Sequence, residues 1–485
     1  MRFRSPNSTT FKTDNVYKVV TMDLYSLLKT KTAQVALGLS LATSGMSGCG
    51  SDNPSSLINT KDSDAKTYDS LDNIVDSKIH NSSDSKGYFT ETKDDTIPEK
   101  IVCWEKTLGG SYDNIAARAN SIQQTKDLGY IVAGNKEIEG TTDYDAWILK
   151  FDKNGYLNWQ KTFGESGYKD ILYSIQQTKD EGYIATGYHS VYQTKKDQYE
   201  ITLNSDSWIL KLDLKGTVEW EKTFEKSEKE DILYSIQQTT DDGYITVGFT
   251  FVNQYIGLES YIEYSESALI LKLDSKGTVE WEKTFEGSGY GSVHSVQQIN
   301  DGNYIVAGET KSKESTNYNK WIFKLDQNGK LIWEKKIGDD DNKLFSIQQT
   351  KDLGYIAAGI SETYNGIEAW ISKLDNNGNT KWNKKFSGKD NYLANSVQQT
   401  KDGGYIVAGY TTSESAGGND AWIVKLDDEG DVEWENLFGG TEDDLLKSIQ
   451  QTTDSGYIAV GWTESKNDSI NTWILKLDHK GELCK

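Results

Sequence analysis

The chain has 485 residues, with 74 Asp and Glu against 52 Lys and Arg, so its formal net charge at pH 7 is −22. A field of this sign repels phosphate backbones and excludes nucleic acid as a favoured partner. Tyr, Trp and Gly are abundant (28, 14 and 43), whereas Pro and Met number three each, a composition that suits short strands and tight turns.

The first 49 residues have the pattern of a bacterial lipoprotein signal. Lys29 and Lys31 form a basic lead, and residues 33–43 form an apolar core that is too short to span a bilayer as a permanent helix. The core is followed by Met-Ser-Gly-Cys, ending at Cys49, which resembles a lipobox with Met in the place of the usual Leu. The resemblance implies that Cys49 is lipidated and becomes the mature N-terminus. An ordinary signal peptide, or a Cys that stands here by chance, is the alternative.

A polar segment separates this signal from the rest of the chain. Residues 50–99 are rich in Ser, Asp, Asn, Lys and Thr and hold few large apolar groups, which predicts a disordered tether. Met22 is an alternative start, because Met1 leaves an unusually long polar lead. We therefore predict a protein of the bacterial cell envelope, extracytoplasmic and anchored to the membrane by its lipid.

Residues 101–485 contain seven copies of one phrase, each marked by a Gln-Gln step, at intervals of 50–61 residues. The copies begin at Gln123, Gln176, Gln237, Gln297, Gln348, Gln398 and Gln450. A period in this range built from short strands is typical of propeller blades. We number the copies repeat 1 to repeat 7.

Each repeat holds four strand signals. In repeat 2 they are Tyr173–Thr178, Tyr183–Gly187, Ser207–Asp213 and Thr217–Phe224, with polar and apolar residues alternating and Gly in the turns. We call them strand one to strand four. The pattern predicts an all-β fold, a seven-bladed β-propeller of four-stranded antiparallel blades.

The two ends of the repeat region complement each other. Repeat 7 stops after strand three, while a strand-four pattern, Ile101–Leu108, precedes repeat 1. We expect this N-terminal strand to complete the last blade and close the ring. Cys103 and Cys484 occupy the same column of the repeat, which predicts a disulfide across the seam; two unpaired thiols are the alternative.

Two family resemblances rest on these repeats. The Leu-Asp strand, the Gly turn and the following Trp resemble the tryptophan-docking repeat of quinoprotein-type propellers, which implies that the Trp locks neighbouring blades. Phe438–Asp444 together with the Gly-Tyr-Ile-Ala-Val-Gly run ending at Gly461 resembles the bacterial seven-bladed propeller repeat family. No cofactor is carried over, because repeats this uniform show no dedicated cofactor site.

Two adjacent repeats carry long, aromatic insertions between strands two and three. Gly187 to Trp208 and Gly248 to Leu269 each take 21 residues where most repeats take 11–13. The predicted ligand-binding residues are Tyr188, Tyr192, Tyr199, Phe251, Tyr255, Tyr261 and Tyr264. Aromatic side chains on loops of a rigid scaffold suit protein or glycan contacts. The alternative is that the insertions lengthen their own hairpins.

The sequence predicts no catalytic or metal site. Its four His residues have no ligand spacing, and no Ser-His-Asp order appears. The repeated Asp170, Asp231 and Asp444 and the Asp152 turn are read as Asx turns rather than calcium ligands. The Gln pairs are expected to satisfy backbone groups between inner strands.

These patterns favour a monomeric, non-catalytic binding or assembly scaffold that presents one variable face to a protein or a glycan. Its layout resembles that of the propeller lipoprotein of the outer-membrane barrel-assembly machine. An envelope hydrolase acting on polysaccharide is the alternative, because the abundant carboxylates could supply the required pair.

Overall fold

The computed structural model shows an all-β protein. It describes residues 102–109, 115–141, 143–164, 168–194, 201–224, 231–255, 262–285, 289–312, 314–338, 341–388, 391–412, 417–464 and 469–484, without the side chains of 191–204 and 252–265. The chain divides into Met1–Thr92 and Lys93–Lys485, and every described residue belongs to the second unit. Within these ranges, no helix has the length and apolar character that a membrane crossing requires.

The described residues form 28 strands, four to a repeat. Strand one of the repeats is β2 (Ala117–Gln124), β6 (Tyr168–Gln177), β10 (Asp231–Gln238), β14 (Gly289–Gln298), β18 (Asp341–Gln349), β22 (Tyr392–Gln399) and β26 (Asp444–Gln451). Strand two is β3 (Tyr130–Glu137), β7 (Tyr183–Thr194), β11 (Tyr244–Tyr255), β15 (Tyr304–Ser312), β19 (Tyr355–Thr363), β23 (Tyr405–Thr411) and β27 (Tyr457–Thr463). Strand three is β4 (Tyr144–Phe151), β8 (Ile201–Leu212), β12 (Ile262–Leu273), β16 (Asn319–Leu325), β20 (Gly366–Leu374), β24 (Asp420–Leu426) and β28 (Asn471–Leu477). Strand four is β1 (Trp104–Leu108), β5 (Leu157–Phe163), β9 (Val218–Phe224), β13 (Val279–Phe285), β17 (Leu331–Ile337), β21 (Thr380–Phe386) and β25 (Val432–Phe438).

Each repeat folds into a four-stranded antiparallel sheet whose strands pair in chain order. Repeats 1 and 2 are joined into one larger sheet by a single parallel pair, Tyr144 with Lys169. The sheet of repeat 7 has the order β1-β28-β27-β26, so the N-terminal strand supplies its fourth strand. This repeated arrangement of sheets is consistent with a propeller.

The apolar core lies between the sheets of successive repeats. Ile131 and Ile148 of repeat 1, for example, pack against Leu172 and Leu210 of repeat 2. The first and last repeats share a core of the same kind, in which Val132 and Trp147 pack with residues of β27 and β28. Strands two and three are therefore buried on both sides, whereas strand four alternates between exposed and half-buried residues.

An edge-to-face aromatic pair marks every junction between repeats. The strand-four Trp of one repeat meets the Tyr that opens strand two of the next repeat, with ring centroids 5.7–6.1 Å apart. The pairs are Trp104–Tyr130, Trp159–Tyr183, Trp220–Tyr244, Trp281–Tyr304, Trp333–Tyr355, Trp382–Tyr405 and Trp434–Tyr457. The turn Gly216 has a φ of +74° and lies so close to Trp159 that a Cβ atom would fall 2.8 Å from the ring. Glycine is needed there for both reasons.

The Gln pairs link neighbouring inner strands, as predicted. The first Gln of each pair accepts a hydrogen bond, through its side-chain oxygen, from the backbone N–H of the second Gln in the next repeat, at 2.6–2.8 Å. The donor and acceptor pairs are 177 to 123, 238 to 176, 298 to 237, 349 to 297, 399 to 348, 451 to 398 and 124 to 450. The last bond joins repeat 1 to repeat 7.

A strand-three lysine, buried in every repeat except repeat 4 where Lys324 is half-buried, forms an ion pair with a turn aspartate in each repeat. The Lys Nζ and Asp carboxylate are 2.6–3.1 Å apart. The pairs are Lys150–Asp127, Lys211–Asp180, Lys272–Asp241, Lys324–Asp301, Lys373–Asp352, Lys425–Asp402 and Lys476–Asp454. They tie strand three to the tight turn that follows strand one.

Candidate functional site

The two insertions take the form of lengthened hairpins. β7 and β8 of repeat 2 and β11 and β12 of repeat 3 have 12 residues each, against 7–9 in the second and third strands of the other repeats. Pairing continues to Thr194 with Ile201 and to Tyr255 with Ile262. Of the two alternatives left by the sequence, the structure therefore shows extended strands. These hairpins lie on the face opposite the tight turns, which we call the hairpin face.

The predicted ligand-binding residues divide into three groups. Tyr199 and Tyr261 lie outside the described residues. Tyr192, Tyr255 and Tyr264 lie in β7, β11 and β12, but their side chains are outside the described part of the chain. Tyr188 and Phe251 are described and half-buried, Tyr188 opposite Ser207 and Phe251 opposite Glu266. Their role in binding stays a prediction.

A β-bulge in strand one supplies residues that the sequence prediction did not include. In every repeat, the pairing of strand one with strand two skips one residue of strand one, directly before the Ser of the Ser-Ile/Val-Gln-Gln run. In repeat 2 the skipped residue lies between Leu172 and Ser174. The skipped residues, which we call the bulge column, are Asn120, Tyr173, Tyr234, His294, Phe345, Asn395 and Lys447. Bulges redirect a side chain out of the regular alternation of a strand, and they are frequent next to functional sites.

Four consecutive members of the bulge column have rings that touch one another. Tyr173 and Tyr234 have centroids 5.0 Å apart, Tyr234 and His294 4.7 Å, and His294 and Phe345 5.6 Å. All four are half-buried, so part of each ring meets solvent. We call these four residues the aromatic arc.

The extended hairpins adjoin the aromatic arc. Tyr188 lies 5.9 Å from Tyr173, and Phe249 lies 5.8 Å from Tyr234. Phe251 packs edge to face on Phe249 at 5.2 Å. The two predicted residues whose side chains are described therefore belong to one aromatic surface with the arc.

The rest of the bulge column is polar. Asn120 and Asn395 donate side-chain hydrogen bonds to the carbonyl oxygens of Leu172 and Leu446, at 2.9 and 2.8 Å. Lys447 is half-buried. This column therefore differs from repeat to repeat, with an aromatic side and a polar side. That variation is visible in the sequence, as one changing letter before an invariant Ser-Ile/Val-Gln-Gln.

Two glutamates approach the aromatic arc from repeats 3 and 4. Glu309 is only 6% exposed, and its Oε2 atom is hydrogen-bonded to His294 Nε2 at 2.8 Å. Burial raises the pKa of the Glu266 carboxyl above its usual value of 4.5, and the negative charge of Glu309 raises it further. Two carboxyl groups therefore lie close together beside the arc, and the pKa of one of them is raised.

Two lysines balance these carboxylates. Lys311 Nζ lies over the rings of Tyr290 and Tyr318, 4.7 and 4.4 Å from their centroids, and Lys343 Nζ lies 5.6 Å from the Tyr318 centroid. Both ammonium groups lower the pKa of Glu266. Burial, followed by the charges of Glu266 and Glu309, raises the pKa of Tyr318, which keeps its hydroxyl protonated as a donor.

The repeated Asp residues do not form the predicted Asx turns. Asp170, Asp231 and Asp444 lie within strands β6, β10 and β26 and are fully buried. Burial and the neighbouring Asp170 raise the pKa of Asp145. Asp152 does form an Asx turn, accepting the N–H groups of Asn154 and Tyr156 at 2.9 and 2.8 Å. Across the described ranges, no cluster of three or more His, Cys, Asp or Glu side chains could hold a metal ion.

Cys103 and Cys484 meet beside the pairing of β1 with β28. Their Sγ atoms are bonded in the structure and their Cα atoms are 5.3 Å apart, within the usual range for a disulfide. Cys49 lies outside the described residues.

No family model matches the chain, and no curated protein sequence is significantly similar to it. The crystal structure of Sqt1 from Chaetomium thermophilum is 10% identical over 72% of this chain and 80% of that chain, with a TM-score of 0.42. The WD40 domain of Neurospora crassa Pan2 is 12% identical over 80% and 99%, with a TM-score of 0.46. The acylaminoacyl peptidase of Pyrococcus horikoshii is 11% identical over 74% and 50%, with a TM-score of 0.41.

Proposed function

We propose that this protein is a non-catalytic binding scaffold of the bacterial cell envelope, anchored by lipid at Cys49, whose aromatic arc holds a protein or a glycan. The observation that carries the proposal is the arc itself. Four half-buried rings stand at the bulge positions of strand one in four successive repeats, on a frame whose Gln-to-Gln hydrogen bonds and Trp–Tyr contacts recur in every repeat. Rigid aromatic side chains give large contact areas at a low cost in conformational entropy.

The frame of this scaffold is a closed seven-bladed propeller in our proposal. Three observations at the junction of repeats 7 and 1 support closure. β1 pairs with β28, the Trp104 ring meets Tyr130, and Gln124 donates its N–H to Gln450. Two of these contacts, the Trp–Tyr pair and the Gln-to-Gln hydrogen bond, recur at the other junctions.

The membrane anchor, the tether of residues 50–99 and the monomeric state belong to the same proposal and rest on the sequence alone. The lipobox resemblance at Cys49 supports the anchor. The net charge of −22 supports the exclusion of nucleic acid.

A photo-crosslinking experiment tests the binding role. The full chain is expressed in its native cells with a benzophenone amino acid in place of Phe345. The matched control carries the same amino acid in place of Leu353, which is 50% exposed in the tight turn of the same repeat. We expect an adduct of defined mass from position 345 alone, reduced at least about tenfold by Tyr234→Ala, as truncation of an anchor residue typically costs ~2 kcal/mol or more. Equal adducts from both positions, or none from 345, would contradict the proposal.

A polysaccharide hydrolase is the second candidate, supported by the two glutamates beside the arc, Glu309 hydrogen-bonded to His294 and Glu266 opposite Phe251. Glycoside cleavage uses one protonated and one ionised carboxyl group, and the raised pKa of Glu266 suits the acid. A hydrolase would release new reducing ends from a bound oligosaccharide and would lose this activity in Glu309→Gln. A scaffold releases none in either protein.

A further inference from the structure

We infer that the ligand of the aromatic arc is an uncharged oligosaccharide, bound along the arc with its hydroxyl groups toward Glu309 and Glu266. The inference rests on the proposed binding role of the arc and narrows it to one ligand class. Three features of the described residues lead to it: the geometry of the rings, the polar groups beside them, and the local balance of charge.

The rings form a curved row rather than a stack. Successive rings in the arc are inclined by 56°, 45° and 61°, so no ring covers the face of the next one. The steps of 4.7–5.6 Å between centroids are close to the length of one pyranose unit in an extended chain. A row of this kind offers a C–H-rich sugar face several contacts in succession, whereas a single planar ligand would meet only one ring.

Hydrogen-bonding groups lie at the edge of this row. Glu309 holds His294, a member of the arc, at 2.8 Å. Glu266 lies at the base of the extended hairpin of repeat 3, opposite Phe251. Sugar hydroxyls both donate and accept, and buried carboxyl groups next to aromatic faces give them fixed partners.

Charges of both signs lie beside the arc. Glu266 and Glu309 are negative groups, and the ammonium groups of Lys311 and Lys343 lower the pKa of the Glu266 carboxyl. The two carboxylates therefore have positive counter-charges near them, and the site is not a purely cationic patch of the kind that captures a phosphate. The net charge of −22 on the whole chain further disfavours acidic polysaccharides.

The test is a titration of the full-length protein, purified in detergent, with four uncharged hexasaccharides: cellohexaose, laminarihexaose, mannohexaose and N-acetylchitohexaose. Hexagalacturonate is the acidic counterpart. Binding is followed by calorimetry. We expect at least one uncharged hexasaccharide to bind and hexagalacturonate to bind at least tenfold more weakly.

Two variants locate the site. Tyr234→Ala removes a ring from the middle of the arc, and we expect it to weaken binding at least tenfold. Tyr364→Ala is the matched control, because this Tyr is 97% exposed on the β19–β20 connection of the hairpin face, outside the arc, and binding should change less than twofold. Melting curves establish that both variants are folded. Phe345→Leu, which retains an apolar side chain, replaces Tyr234→Ala if that variant unfolds.

The outcomes separate this inference from the binding role on which it rests. The glycan inference falls if none of the four uncharged hexasaccharides binds, if the acidic one binds best, or if the arc variant binds as well as the wild type. A protein adduct at position 345 together with no saccharide binding leaves the scaffold in place and removes the glycan. Absence of both an adduct and saccharide binding removes both.

Discussion

At the scale of single residues, the carboxylate of Asp352 shows what the turn aspartates do. It lies 2.9 Å from Lys373 Nζ and 2.8 Å from Lys381 Nζ, and it accepts the N–H of Gly354. The Lys373 side chain is 5% exposed, so this ammonium group depends on Asp352 for its counter-charge. A cation left alone in such surroundings is costly.

We predict that Asp352→Asn lowers the free energy of unfolding by about 1–3 kcal/mol, because Lys373 stays buried without a full counter-charge. This loss of stability is smaller than the loss expected for a fully buried ion pair, because the Asp352 side chain is 43% exposed and Asn retains its hydrogen bonds to the turn. Denaturant unfolding measures it. Asp428→Asn, an exposed aspartate in a turn of the next repeat, is the control and should change stability by less than about 0.5 kcal/mol.

The same variant has a pH signature. Burial raises the pKa of Asp352, but hydrogen bonds from Lys381, Thr350 and Lys373 outweigh burial and hold it well below its usual value of 3.8. A carboxyl whose pKa is lower in the folded protein than in the unfolded chain stabilises the fold at pH values above 3.8. This stabilisation is lost as the pH falls below 3.8. The stability gap between wild type and Asp352→Asn should therefore narrow from pH 5 toward pH 2. A difference in unfolding free energy that stays constant with pH would mean that the loss of stability comes from the shape of the side chain and not from its charge.

The aromatic arc shows where residue-level reading of the sequence stops. Alternation of polar and apolar residues identifies which side chains face a neighbouring sheet, but a bulge interrupts that alternation by one position. Tyr173, Tyr234, His294 and Phe345 therefore read as ordinary strand residues. Only the pairing register, which depends on contacts between strands, shows that they are skipped and brought together.

At the scale of strands and hairpins, repetition made most of the structure predictable. A pattern that recurs seven times identifies each strand more reliably than one copy does. The four strands, the tight turns and the pairing of the N-terminal strand with the last repeat could therefore be predicted from the sequence. The insertions were not, because an aromatic, β-branched stretch suits either a loop or a longer strand. The structure extends β11 and β12 to a pairing of Tyr255 with Ile262.

We predict that deleting residues 101–108 destabilises the repeat region far more than deleting residues 60–90. The first deletion leaves the edge of β28 unpaired and removes Trp104 from its contact with Tyr130; loss of a packed Trp costs up to about 3–5 kcal/mol. Thermal melting compares the two truncations. The measurement is made with reductant present, so that loss of Cys103 does not contribute, and equal melting temperatures would refute the assigned role of β1.

At the scale of the whole molecule, both ends of the chain are expected to be covalently modified. Peptide mapping of the protein from its membrane fraction, without reductant, should give a diacylated N-terminal peptide beginning at Cys49 and a linked pair of peptides containing Cys103 and Cys484. A disulfide closing so large a loop is worth roughly 6 kcal/mol by chain entropy. Free thiols at both positions would reject the disulfide, and an unmodified residue 49 would reject the anchor.

The bulge column has a consequence for how such a protein diversifies. Its seven positions share one backbone geometry, and the strand ladder skips each of them, so an exchange of side chain there leaves the Gln-to-Gln bonds and the Trp–Tyr contacts in place. Single substitutions at these positions can therefore change the recognition surface while the contacts that join the repeats stay in place. In related chains, change should accordingly concentrate in this column while the neighbouring Ser and Gln stay fixed.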